Sequence, residues 1–223
     1  MTTAAVAQPR RELTSLTAEP ERRLLLFLAA HVPARIGPDH LTALGLLAML
    51  AAGAAYAFSS RWPFLLLAVN GALALNWLGD SLDGTLARYR QRTRPRYGFY
   101  VDHMVDAFGA LGLLLGLAAS GWMAAWLAVS LLIAYLLLSV NIALAACSRG
   151  TFKISYGPFG GTELRLLLAL GNTVVWLWPQ AVVAGHEVML FDVMGGIALL
   201  GVVAALLRST AQNTCALYAL ERL

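Results

Sequence analysis

Asp80 and Asp83 stand three residues apart, and Asp102 and Asp106 four apart, each pair at the edge of a long apolar run. On a helix, those spacings put two side chains on one face. An ionised carboxylate costs about 2.5–3.5 kcal/mol at mid-bilayer on insertion scales, and less near the interface. Four together also repel one another, and no arginine is spaced to pair with all of them. The charge calls for cations, and a ligand set made only of oxygen selects hard divalent ions such as Mg²⁺ or Mn²⁺.

The elements that must position these acids are membrane helices. The 223 residues are 59% hydrophobic and 13% charged, against roughly one half and one quarter in soluble domains. Six windows reach the length a membrane span needs: 40–59, 64–88, 99–119, 121–147, 163–179 and 191–218. All eight prolines fall outside or at the edges of these windows, as helix breakers do. The stretch ERRLLLFLAAHV, between Pro20 and Pro33, is too short to span and reads as an interfacial amphipathic helix. The expectation is an all-α bundle of six transmembrane helices over residues 21–223, preceded by a cytosolic tail, 1–20.

Charge sets the orientation. Arg10, Arg11, Arg22, Arg23 and Arg35 precede the first span, and Arg88, Arg90, Arg92, Arg94 and Arg96 follow the second. Arg149, Lys153 and Arg165 flank the fourth-to-fifth connection, whereas the opposite loops offer Arg61. The positive-inside rule then puts both termini and the acids at the cytoplasmic face. The basic excess of four needs no nucleic acid to explain it. Fifteen of the sixteen basic residues are Arg, which with so much Ala and Leu reads as a high-GC bacterial genome, so that the expected membrane is a bacterial inner membrane. Cys147 and Cys215 match no metal motif and read as reduced and inert.

Small residues accompany the acids. Gly84 and Ala87 share the Asp80/Asp83 face and leave room for a flat group. Gly98, Asp102, Asp106, Gly109, Gly112 and Gly116 follow at steps of three or four, a stripe for close helix contact. The last three read as packing positions.

The string D80-x2-D83-G84-x2-A87-R88-x9-G98-x3-D102-x3-D106 resembles the signature of the CDP-alcohol phosphotransferases, with a loop longer by one residue between Arg88 and Gly98. IGPDHLTALGLL, residues 36–47, is similar to the lead-in of that family. The resemblance implies that Asp80, Asp83 and Asp102 hold metal against a CDP pyrophosphate. It makes Asp106 the candidate general base, sharing a second ion, and implies that Gly84, Ala87 and Arg88 seat cytidine and its phosphate. It also implies a homodimer. An alcohol oxygen attacks the phosphorus distal to cytidine, and CMP leaves.

Two substrate directions fit that resemblance. In one, a phosphatidyl group moves from CDP-diacylglycerol to a polar alcohol; Arg149, Lys153 and Arg165 then grip an acceptor phosphate, and Glu163 orients the acceptor or caps its helix. In the other, phosphocholine or phosphoethanolamine moves to diacylglycerol. His103 directly after Asp102, and GPFGGTE at 157–163, are similar to the aminoalcohol phosphotransferases, and His103 is placed to assist proton transfer or to bond a nearby backbone group. The first direction is the expectation. A cation transporter is the remote alternative, because intramembrane acids also mark ion paths. Transporters, however, carry acids near mid-membrane on repeated, broken helices, and this chain shows no repeated half.

Overall fold

The computed structural model describes residues 18–149, 161–183 and 185–222. Helices α1 (Ala18–His31), α2 (Pro38–Phe58), α3 (Leu65–Tyr89), α4 (Pro95–Ala119), α5 (Ala125–Arg149), α6 (Gly161–Leu177) and α7 (Leu190–Leu220) make up the fold. A small antiparallel hairpin, β1 (Gln180–Val183) with β2 (His186–Met189), joins the last two. Among the described residues, five helices, α2 to α5 and α7, are long and apolar enough to cross a membrane. Helix α6 has 17 residues, a rise of about 25 Å at the short end for a span.

The helix limits follow from local chemistry. Pro38 and Pro95 sit in the first turns of α2 and α4, where a missing N–H costs nothing and the fixed φ suits the helix. Helix α4 accordingly starts ahead of the expected window. Gly121, at φ 75°, turns the chain between α4 and α5, and the Ser120 hydroxyl accepts the Trp122 amide at 3.1 Å. This delays α5 to Ala125, four residues later than the apolar run suggests. The hairpin was not foreseen in an all-α chain. Its strands come from a Trp-Pro-bounded stretch that has too few residues for another helix.

Helix α2 is the spine against which α3 and α4 both pack. The contacts are backbone on backbone. A Cβ on Gly79 would lie 2.5 Å from the Leu41 carbonyl oxygen, and one on Gly116 would lie 2.0 Å from that of Gly53. A Cβ on Gly53 would in turn meet Gly112 oxygen at 2.1 Å. The stripe read from the sequence therefore packs as expected at Gly109, Gly112 and Gly116. Gly98 departs from it, because a Cβ there would meet nothing within 4 Å.

One apolar core, including Ala52, Tyr56, Leu66, Val69, Leu113, Leu117 and Phe191, fills the bundle. A second cluster of Leu25, Ala29, Leu41, Leu82 and Leu86 seats α1 on α2 and α3. The exterior stays apolar, with Phe58, Phe108, Leu137, Ile197 and Leu200 exposed, as expected where lipid is the solvent. Trp62, Trp122, Trp126, Trp176 and Trp178 gather in or beside the connections at one end, the position of an aromatic belt. The aspartates lie towards the other end.

A neutral polar network crosses the bundle. The Tyr56 hydroxyl donates to Asn172 Oδ1 at 2.5 Å, and Asn172 Nδ2 donates to Asn70 Oδ1 at 2.7 Å. Asn70 Nδ2 donates to Thr173 Oγ1 and to the Ala169 carbonyl, both at 3.1 Å. These bonds tie α2, α3 and α6 together.

Candidate active site

The last turns of α3 and the first turns of α4 carry the four aspartates, and α2, α5 and α6 supply the groups around them. The Thr42 hydroxyl of α2 donates to Asp83 Oδ2 at 2.5 Å, and the Gly84 amide donates to Asp83 Oδ1. Asp80 Oδ2 receives Arg165 Nη2 of α6 at 2.6 Å, and Arg165 Nε donates to Asn76 Oδ1 at 2.8 Å. Asn76 completes its bonding through Nδ2 to the Gly45 carbonyl at 3.0 Å.

Asp102 and Asp106 face this group from α4. Asp83 lies within electrostatic range of Asp80 and Asp102, and Asp106 within range of Asp80, Asp102, Asp83 and Arg165. Asp106 is nevertheless exposed. The four carboxylates and Arg165 thus form one cluster that is open on the Asp106 side. Tyr135 of α5 shares a hydrogen bond with Ser139 and lies within range of Asp106, Asp80 and Arg165. The structure thus joins the two acidic pairs read from the sequence and adds one cation, Arg165, directly on Asp80.

The remaining candidates are placed as follows. Gly84 lies under Arg88: a Cβ there would be 3.3 Å from Arg88 Nη1. Arg88 Nη2 also donates to Thr85 Oγ1 at 3.2 Å, and Ala87 is half-buried on the same helix. His103 donates Nδ1–H to the Phe99 carbonyl at 2.9 Å and packs on the Phe99 ring at 4.3 Å. Arg149 donates to Asn213 Oδ1 of α7 at 2.6 Å, within a polar α5–α7 seam that includes Asn141 and Ser209. Glu163 is buried in the first turn of α6. Lys153 and most of the GPFGGTE stretch lie outside the described residues.

Three contributors were missed in the sequence. Thr42 lies inside the lead-in at 36–47, and its hydroxyl one turn after Asp39 was the available signal. Tyr135 interrupts LLIAYLLLS at mid-helix, away from the interfacial zone where tyrosine usually sits. Arg90, read only as part of the basic run that sets orientation, also donates to the carbonyls of Ile36, Val32 and Pro33 at 2.6, 2.8 and 3.0 Å. It ties the α1–α2 connection to the end of α3.

The donor set fits a hard divalent ion by chemistry, four carboxylates with no sulfur or imidazole among them. A guanidinium already stands on one of these carboxylates in the place of a cation. Among the described residues, however, no three His, Cys, Asp or Glu side chains are arranged to hold an ion together. Asp80 and Asp83 are turned towards protein donors instead.

No curated protein matches the chain. The family model for CDP-alcohol phosphatidyltransferase matches residues 35–206, which take in all four aspartates, the lead-in and Arg165. An apolar helical bundle, with the signature acids drawn from two neighbouring helices into one cluster, agrees with that match: the chain belongs to the CDP-alcohol phosphatidyltransferase family.

Proposed function

We propose that this enzyme transfers a phosphatidyl group from CDP-diacylglycerol to the hydroxyl of a polar alcohol and releases CMP. The observation that carries the reading is the gathering of Asp80, Asp83, Asp102 and Asp106 beside Arg165 at one end of a lipid-solvated bundle. Such a site concentrates negative charge of the kind that a cation-bearing, anionic substrate makes use of.

Asp80, Asp83, Asp102 and Asp106 would hold one or two Mg²⁺ or Mn²⁺ ions. When bound, the ions offset charge on the pyrophosphate and on the departing CMP. The residues of the chain do the rest. Gly84 offers a side-chain-free surface, and Arg88, folded across it, supplies positive charge for the nucleotide phosphate. Asp106 is open to the hollow and accepts the proton of the acceptor hydroxyl as its oxygen bonds to the phosphorus distal to cytidine. The bond between that phosphorus and the CMP oxygen breaks at the same centre. His103 has committed Nδ1–H to Phe99, so proton exchange at this ring runs through Nε2. Arg165 lies beside the acids, where a substrate phosphate would meet it.

In the proposed topology, α6 is the sixth span, both termini and the acidic hollow face the cytoplasm, and the tryptophan-rich end faces outwards. Helix α1 lies along the inner interface: Leu25 and Ala29 face the bundle while Leu24 and Phe27 face out.

The deciding experiment gives purified enzyme, with Mg²⁺ or Mn²⁺, each labelled CDP compound in turn. CMP release from CDP-diacylglycerol with a polar alcohol is expected. Release from CDP-choline or CDP-ethanolamine with diacylglycerol, and none from CDP-diacylglycerol, would reverse the direction of transfer. Divalent-cation flux into proteoliposomes with no CMP from any donor would replace the enzyme with a transporter.

A further inference from the structure

We propose that Arg165 is the resident counter-ion of the aspartate hollow and makes divalent-cation affinity depend on an anionic ligand. The inference rests on the function proposed above. Arg165 is held at two points, through Nη2 on Asp80 Oδ2 at 2.6 Å and through Nε on Asn76 Oδ1 at 2.8 Å. The Asn76 amide is itself oriented by the Gly45 carbonyl at 3.0 Å, so the second anchor is fixed by the backbone of α2. The guanidinium is 21% exposed and the Asp80 carboxyl 29%. This pair is therefore screened far less than the ordinary surface pair of Arg94 and Asp39, exposed by 52% and 54%.

An oxygen lone pair engaged by an N–H at 2.6 Å is not available to an ion that must approach to about 2.0–2.2 Å. A dication seated on the neighbouring carboxylates also repels a guanidinium a few ångströms away. Without an anion in the hollow, cation binding must either displace Arg165 or tolerate it. With a pyrophosphate present, both costs fall. The phosphate oxygens take part of the ion's charge, and they give the guanidinium a bidentate partner in exchange for Asp80. Cation and nucleotide then strengthen one another's binding by the same factor, as linkage requires. Asp106 also lies within electrostatic range of Arg165, so a displaced guanidinium changes the field at the proposed base as the substrate arrives.

The test is a direct titration of Mn²⁺, followed by the signal of the free ion, on purified full-length protein with and without CDP. In the wild type, Mn²⁺ affinity rises when CDP is present. Arg165→Gln, which keeps a polar group near Asn76, binds Mn²⁺ without CDP about ten-fold more tightly than the wild type, within the range usual for coupled sites. Its gain on adding CDP shrinks accordingly. Arg165→Met, which keeps the stem and drops the charge, behaves the same way, whereas Arg165→Lys stays near the wild type. Unchanged or weaker Mn²⁺ affinity in both neutral variants overturns the inference. So does a wild type whose Mn²⁺ affinity ignores CDP, a result that needs no variant to fold. A wild type that binds no Mn²⁺ with or without CDP, and releases no CMP from any donor, sinks the proposed function itself.

Discussion

Two of the polar regions embedded in this apolar bundle are built on opposite terms. The network of Tyr56, Asn70, Asn172 and Thr173 is neutral, and its donors meet acceptors inside the protein. The aspartate hollow holds four carboxylates and one guanidinium placed on one of them. A closed neutral network adds cohesion between helices, as polar side chains do in membranes. An excess of like charge weakens cohesion and is retained for what it binds. Burial of polar groups alone does not separate structure from function in this protein; under the proposed function, the balance of charge does.

That contrast is open to mutation. Asp83→Asn keeps one oxygen for the Gly84 amide and turns its NH2 towards Thr42, whose hydroxyl can accept from it while donating to the Pro38 carbonyl, so the fold persists. CMP release falls at least about a thousand-fold, or roughly 4 kcal/mol in the barrier. Thermal midpoint is unchanged or raised, because one repelling charge is gone. A clear fall in midpoint would make the acids part of the scaffold and break the contrast.

Gly116→Val is expected to do the reverse. Its Cβ would lie 2.0 Å from the Gly53 carbonyl oxygen, and neither backbone can yield cheaply. The loss exceeds about 3 kcal/mol and reads out as failure to recover monodisperse protein. Tyr56→Phe keeps the ring against Phe191, centroids 6.3 Å apart, and removes only the hydroxyl that Asn172 receives. A cost of about 0.5–2 kcal/mol is expected, seen as a lower midpoint with turnover per folded molecule preserved. Reduced turnover without a change in midpoint would tie the neutral network to the chemistry. Arg94→Ala should have the smallest effect. Its exposed pair with Asp39 is worth less than about 1 kcal/mol, and any shift should vanish in high salt.

Several features were readable along the chain because their causes are local. Helical spacing puts Asp80 with Asp83, and Asp102 with Asp106, on shared faces whatever the rest of the fold does. Runs of apolar residues set the helices because each backbone group in lipid must bond within its own segment. Prolines and turn glycines set the ends, with errors of a few residues where Ser120 and Gly121 delayed α5. The hairpin escaped notice because eight strand residues between helices carry almost no periodic signal.

What remained was decided by how helices rotate and cross, which no spacing within one helix encodes. Close approach of α2 to α3 at Gly45 and Gly79, and of α2 to α4 at Gly53 and Gly116, brings the two acidic faces together and sets Thr42 against Asp83. The docking of α6 puts Arg165 on Asp80, whereas Arg149, read from the sequence as its equal, is drawn to Asn213 of α7. The chain by itself determined that an acidic patch exists on each of two helices. Only the packed bundle decided that they share one hollow, and which cation stands in it, because those outcomes depend on side chains far apart in sequence meeting at backbone contact distance.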